Sequence, residues 1–143
     1  MIKSSYNPSP RTLSHLERVL SYRLKQQLKS KDLNLSVEEF RALFYLWFDN
    51  GLTQNEIAAK AFKEKSLMTK TINSLERKGL IERKRMENDK RNKQIFLTQK
   101  AIDMEVKAMA CANVITRKAE ENISNEDLEV FFRVINQMEN NLK

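Results

Sequence analysis

The sequence predicts a mainly α-helical fold with one small β-hairpin, and three observations lead there. Apolar residues recur at three- and four-residue spacing along most of the chain. Side-chain helix caps stand in front of those stretches. The 143 residues hold only two Gly and two Pro, too few for an all-β sandwich or a Gly-rich phosphate loop.

Taken in order, residues 1–10 carry Pro8, Pro10, Ser4, Ser5, Asn7 and Ser9 and read as a loose end. Leu13, Leu16, Leu20, Leu24 and Leu28 then form one stripe, predicting a helix over 11–30. Ser36 with Glu39 and Thr53 with Glu56 are capping boxes, and Ser124 with Asp127 is a close variant. Each is preceded by an apolar residue able to staple to the fifth residue beyond it: Leu35 to Phe40, Leu52 to Ile57, Ile123 to Leu128. Leu97-Thr98 followed by Ile102 repeats the staple, while Gly51 and Gly79 stand where helices should stop. Helices are therefore expected over 36–49, 53–60, 65–78, 98–121 and 124–142. The stretch 80–97 breaks the helical period: Ile81 and Ile95-Phe96-Leu97 bracket a polar middle with Glu87-Asn88-Asp89 as turn formers, which predicts a hairpin with a long basic tip over 86–92.

Charge is concentrated rather than spread. The chain carries 26 Lys and Arg against 19 Asp and Glu, for +7. Residues 53–100 hold 13 basic and six acidic side chains, so this one third supplies the whole excess. Such a block suits a polyanion, because neutralising phosphates releases condensed counterions. One Cys and one His exclude a disulfide framework and a Cys/His metal cluster within a chain. No apolar run approaches the ~20 residues of a membrane span, and the start lacks a signal peptide's apolar stretch, so a protein of the cytoplasm is expected.

Two short helices at 53–60 and 65–78, followed directly by a hairpin, are the parts of a winged helix-turn-helix, whose second helix enters the major groove of double-stranded DNA. Met68, Ile72 and Leu75 mark its core side. The opposite side presents Lys65, Ser66, Thr69, Lys70 and Asn73, hydroxyls and amides for base edges and lysines for phosphates. On the hairpin, Arg83, Lys84, Arg85, Lys90 and Lys93 are expected at phosphates and Arg91 in the minor groove, where the negative potential is enhanced. Asp89, two residues before Arg91, is expected to brace its guanidinium.

These residues resemble the MarR (multiple antibiotic resistance regulator) family of transcription factors. The resemblance runs through Leu52-Thr53-Gln54-Asn55-Glu56-Ile57-Ala58, Lys65-Ser66, Leu75-Glu76-Arg77-Lys78-Gly79-Leu80-Ile81-Glu82-Arg83 and Asp89-Lys90-Arg91-Asn92-Lys93, closing on Leu97-Thr98. Met86 and Ala101 depart from the family's usual small polar residue and Gly. The resemblance implies an intertwined homodimer: 1–34 as an N-terminal dimerisation helix, 35–97 as the DNA-binding domain, and 98–143 as C-terminal dimerisation helices. Leu128, Phe131, Phe132, Ile135, Met138 and Leu142 on the last helix, and an apolar fifth helix, independently call for a partner surface.

It also implies a repressor that a small aromatic or lipophilic effector relieves, with Phe44 and Phe48 on one face of the second helix as candidate ligand-binding residues. Cys111, among apolar neighbours, is expected to be a buried small hydrophobe, and His15 a surface or interface residue. Metal, cofactor and enzyme chemistry have no visible carrier. The alternative function is a winged-helix protein-interaction module without sequence-specific DNA binding.

Overall fold

Helix α1, Ser9–Ser30, opens the computed structural model, which describes residues 8–143 apart from the Lys90 side chain. The first seven residues of the expected loose end, and the phosphate contact expected of Lys90, lie outside the described residues. The helix begins two residues earlier than the leucine stripe predicts, because Pro10 falls in the first turn, where its fixed φ suits a helix and its missing N–H is no loss. Then follow α2 (Val37–Phe48), α3 (Gln54–Ala61), α4 (Lys65–Arg77), β1 (Ile81–Met86), β2 (Asp89–Leu97), α5 (Gln99–Ala119) and α6 (Asn125–Leu142).

The caps form as their residues dictate. Ser36 accepts from the Glu39 amide at 3.0 Å while the Glu39 carboxylate accepts from the Ser36 amide at 3.1 Å. Thr53 and Glu56 repeat the exchange at 3.2 Å both ways. Thr98 and Ser124 cap α5 and α6 through the amides of Ala101 and Asp127. At the end of α4, Gly79 takes φ +71°, and the amides of Gly79 and Leu80 return to the carbonyls of Glu76 and Leu75, both at 3.0 Å. The chain therefore reverses from α4 into β1 within three residues. α3 ends in the same way, but with Phe62 at φ +52° and its ring in water.

β1 and β2 pair antiparallel from Ile81↔Leu97 to Arg85↔Lys93, and then Met86 faces Asp89. The expected long tip is instead a two-residue turn, Glu87-Asn88, and the surplus residues Lys90, Arg91 and Asn92 bulge from β2. A third rung comes from the segment before α3. Gly51 N–H donates to Ile95 O at 3.0 Å, Ile95 N–H donates to Leu52 O at 2.8 Å, and Thr53 bridges Gln94.

One core runs beneath these elements. Leu43 and Leu46 of α2, Ile57 of α3, Ile72 and Leu75 of α4 and Ile95 of the hairpin are fully buried, and Leu28, Ala108 and Cys111 extend that core between α1 and α5. Trp47 ties α2 to α5 by donating its indole N–H to Ala101 O at 3.0 Å. α6 stands apart. It buries no residue, and Phe131, Phe132, Val134 and Leu142 are exposed.

Glu39 is the one charged side chain in the buried set among the described residues. Its carboxylate caps α2 and also receives Lys78 Nζ at 2.9 Å and Ser74 Oγ at 3.3 Å, both from the last turns of α4. Burial pushes its pKa up, but the hydrogen bonds from Lys78 and Ser36 outweigh burial and hold the carboxyl below its ordinary value. A folded pKa below the unfolded one means that this stabilisation is complete above the unfolded value of ~4.3 and is lost as pH falls through the folded value. Glu39→Gln should therefore cost about 1.5–3 kcal/mol at neutral pH by urea unfolding. The gap to wild type should close as the pH is lowered below ~4; an equal gap at both pH values would contradict this account.

Candidate nucleic-acid interface

The reading helix shows the two faces its periodicity requires. Met68, Ile72 and Leu75 are buried, whereas Lys65, Ser66, Thr69 and Lys70 are exposed and Asn73 is half-buried at their edge. Thr69 and Asn73, one turn apart, are already engaged. Thr69 Oγ1 donates to Lys65 O at 2.8 Å and accepts from Gln54 Nε2 at 2.6 Å. Asn73 Oδ1 accepts from Arg83 Nη2 at 2.5 Å.

Pairing parity sorts the basic residues of the hairpin. Ile81, Arg83 and Arg85 share one face with Lys93, Ile95 and Leu97, so that face is apolar at its base and cationic toward its tip. Arg83 is the hinge between the two. Its guanidinium holds Asn73, its Nε is buried without a hydrogen bond, and that Nε lies 3.8 Å from Glu76 of α4. Arg83 thus braces the hairpin against α4 in addition to carrying charge. Lys84 falls on the other face, with Nζ 5.0 Å above the Phe96 ring, away from Arg83, Arg85 and Lys93. The structure therefore gathers Arg83, Arg85, Arg91 and Lys93 on the side of α3 and α4 and sets Lys84 apart.

A polar cleft of about 240 Å³ joins the hairpin to the amino end of α3, lined by Gln54 and Asn55 on one wall and Arg83, Arg91, Asn92 and Lys93 on the other. Gln54 and Asn55 were missing from the sequence-derived site. Their place directly after the Thr53 cap, at the positive end of α3, was the available signal.

Asp89 acts differently from the expectation. Oδ1 accepts from the Arg91 backbone N–H and Oδ2 from the Asn92 amide, both at 3.0 Å, so the carboxylate folds the bulge instead of bracing the guanidinium. The two-residue step favours this local turn because the amide of Arg91 is closer than its side-chain end. The Arg91 side chain is left exposed and unpaired among the described residues.

Phe44 and Phe48 pack with their rings tilted by 51° and centroids 4.9 Å apart, and Phe48 is 74% exposed. A cleft of about 380 Å³ lies one helical turn away, between α1, α2 and the helix-turn-helix, walled by Glu17, Arg41, Tyr45, Lys63 and Met68. A smaller one of about 170 Å³ adjoins it against α5, with Leu20, Leu24 and Ile115. Arg41 pairs with both Glu17 and Glu38 there. The Glu17 carboxyl is held below its ordinary range by the Ser21 hydroxyl and by Arg41. Cys111 is buried as expected, and burial pushes its thiol pKa up, away from thiolate reactivity. No group of His, Cys, Asp and Glu able to hold a metal ion occurs among the described residues.

Known proteins share this arrangement. The MarR family model matches residues 35–93. An organic hydroperoxide resistance transcriptional regulator of Bacillus subtilis (strain 168) is 30% identical over 97 residues, which is 68% of this chain. The chain spans 65% of the length of that relative. Among solved structures, a MarR protein from Peptoclostridium difficile superposes with a TM-score of 0.89 at 22% identity, over 99% of this chain and 92% of its own. A MarR transcriptional regulator from Methanosarcina mazei Go1 does so with 0.83 at 20% identity, over 93% and 95%.

Since Asp89 holds the bulge through backbone and amide, Asp89→Ala should speed hydrogen exchange at the Arg91 amide at least tenfold, while the Ile95 amide, bonded to Leu52, keeps its protection. An unchanged Arg91 rate would remove Asp89 from this role.

Proposed function

We propose that the chain, whose residues 35–93 match the MarR family model, is a dimeric, sequence-specific DNA-binding transcriptional regulator and not an enzyme. The observation that carries this reading is the common surface. The amino end of α3 and the cationic face of the hairpin line one cleft, and the polar face of α4 is tied to them by the Gln54–Thr69 and Arg83–Asn73 hydrogen bonds. A helix with short polar side chains fits a major groove, and an exposed arginine on a ribbon bulge fits the adjoining minor groove. In this reading Lys65, Ser66, Thr69, Lys70 and Asn73 meet bases and nearby phosphates, Arg91 enters the minor groove, and Arg83, Arg85, Lys90 and Lys93 meet phosphates, with Lys84 turned to the other face of the hairpin.

The apolar face of α6 supports the dimer. Phe131, Phe132, Val134 and Leu142 are exposed among the described residues, and α1 and α5 expose Leu16, Val19, Val106 and Val114. Residues 1–34 and 98–143 would then form the dimerisation region around reading domains of 35–97. Two-fold symmetry would set half-sites one DNA turn apart, ~34–36 Å. A body of that span represses by occupancy, since it covers a full turn of duplex. The effector that relieves it would take the smaller cleft beside Arg41, where Leu20, Leu24, Ala112 and Ile115 give apolar walls and Glu17, Ser21 and Arg41 the polar groups. The proposed place of action is the cytoplasm; none of the described helices is long and apolar enough to cross a membrane.

Footprinting on DNA upstream of the protein's own gene should reveal a two-fold protected site. Arg91→Ala should weaken binding there by ~1–3 kcal/mol with an unchanged melting temperature. Log K should fall with log salt by ~0.9 per phosphate contacted, and an affinity indifferent to salt would refute the reading. Phe132→Asp should convert the dimer to monomers in sedimentation at micromolar concentration and lower operator affinity with them, while wild type sediments at twice the chain mass.

A further inference from the structure

We propose that the reading helix recognises bases with a set hydrogen-bond polarity, Asn73 serving mainly as donor and Thr69 only as acceptor, because Arg83 engages the Asn73 oxygen and the Lys65 carbonyl takes the Thr69 proton, with Gln54 holding that hydroxyl in place. This rests on the DNA-binding reading above and deepens it.

The assignment follows from which groups can donate. Arg83 has no acceptor, so the Asn73 atom that faces its Nη2 at 2.5 Å has to be the carbonyl oxygen. The amide nitrogen is the group left for a partner, and it carries two N–H donors. Lys65 O has no hydrogen, so the Thr69 hydroxyl at 2.8 Å spends its only proton there. The Gln54 atom at 2.6 Å from Thr69 Oγ1 must then be the donating Nε2. One lone pair of that hydroxyl remains for a partner.

An unrestrained asparagine reads adenine with both ends of its amide, accepting from N6 and donating to N7. Arg83 takes one of the two lone pairs of the Asn73 oxygen and sets a positive charge beside the other, so a further donor such as adenine N6–H is disfavoured there. Guanine, whose N7 and O6 both accept, matches what is left, and thymine O4 is the pyrimidine counterpart. Thr69, one turn earlier on the same face, takes a donor such as cytosine N4 or adenine N6. Arg83 and Gln54 are thus positioning residues for specificity, one on the hairpin and one on the preceding helix, whether or not either touches DNA.

The test is selection of duplexes from a randomised pool with the purified full chain, followed by competition among single-base variants of the selected site. Wild type should favour guanine or thymine over adenine at the base pair that residue 73 governs. Asn73→Asp keeps an oxygen for Arg83 but replaces the N–H donors with a second oxygen. It should reverse that preference toward cytosine or adenine by about tenfold, at one position in each half-site. Arg83→Met frees the amide oxygen and should shift the preference at the same position toward adenine, even where overall affinity drops through lost charge. Gln54→Ala should loosen selection only at the base pair facing Thr69. Losses uniform across all sites would assign these residues to phosphate contacts or to folding and overturn the proposal. So would adenine at the residue-73 position in wild type, or a site preference unmoved by Asn73→Asp. Wild type enriching no duplex at all would fell the regulator reading itself, and the proposal with it.

Discussion

A single carboxylate sets the aim of the reading helix. Glu39 starts α2 as the return half of its capping box and, on its other side, receives Lys78 and Ser74 from the last turns of α4. Lys78 also donates to Asn34 O at 2.9 Å, and Lys100 at the start of α5 donates to Lys78 O at 3.2 Å. The linker from α1 and the starts of α2 and α5 thereby converge on the end of one helix. The carboxylate gives up hydration to be there, and it stays charged because Lys78 and Ser36 together outweigh that loss. Apolar packing fixes the depth of α4 through Met68, Ile72 and Leu75, but packing is tolerant of rotation; directional bonds at the helix end are not.

The hairpin is aligned by a different device. Its register with the segment 51–53 places Ile81 and Ile95 in the core, so period-two alternation delivers Arg83, Arg85 and Lys93 to the same face further out. The Cβ of any larger residue at Gly51 would come within 2.9 Å of the Phe96 ring, which keeps that third rung close. Electrostatic function is thus inherited from hydrophobic register: burying the isoleucines decides where the arginines point.

Most of the secondary structure was legible because it is written locally. Capping boxes, stapling residues and the two glycines are signals confined to a few residues, and they located α2 to α6 to within about two residues at each end. The core face of α4 followed from spacing alone. The misses share a physical character: each depends on which of several possible partners a polar group chooses across the fold. Asp89 had both the Arg91 backbone and its guanidinium within reach, and spacing did not separate them. Arg83 looked like one more surface cation until its pairing with Asn73 and Glu76 could be seen. The aromatic cluster of α2 announced itself, but a cavity is a space between elements. Two clefts lie around Arg41, where α1, α2, α4 and α5 converge, a place that no local signal marked.

α5 is a helix of 21 residues, about 31 Å, and the body formed by α2, α3, α4 and the hairpin is tied to its first turn through Trp47, Thr98 and Lys100. A rod attached at one end converts angle into distance: a tilt of ~5° pivoting at its far end sweeps the attached head through ~3 Å, close to the rise of one base pair. A small rearrangement near Ile115, where α1 and α5 meet beside a cleft, would therefore be magnified by the time it reaches the helix-turn-helix and its hairpin.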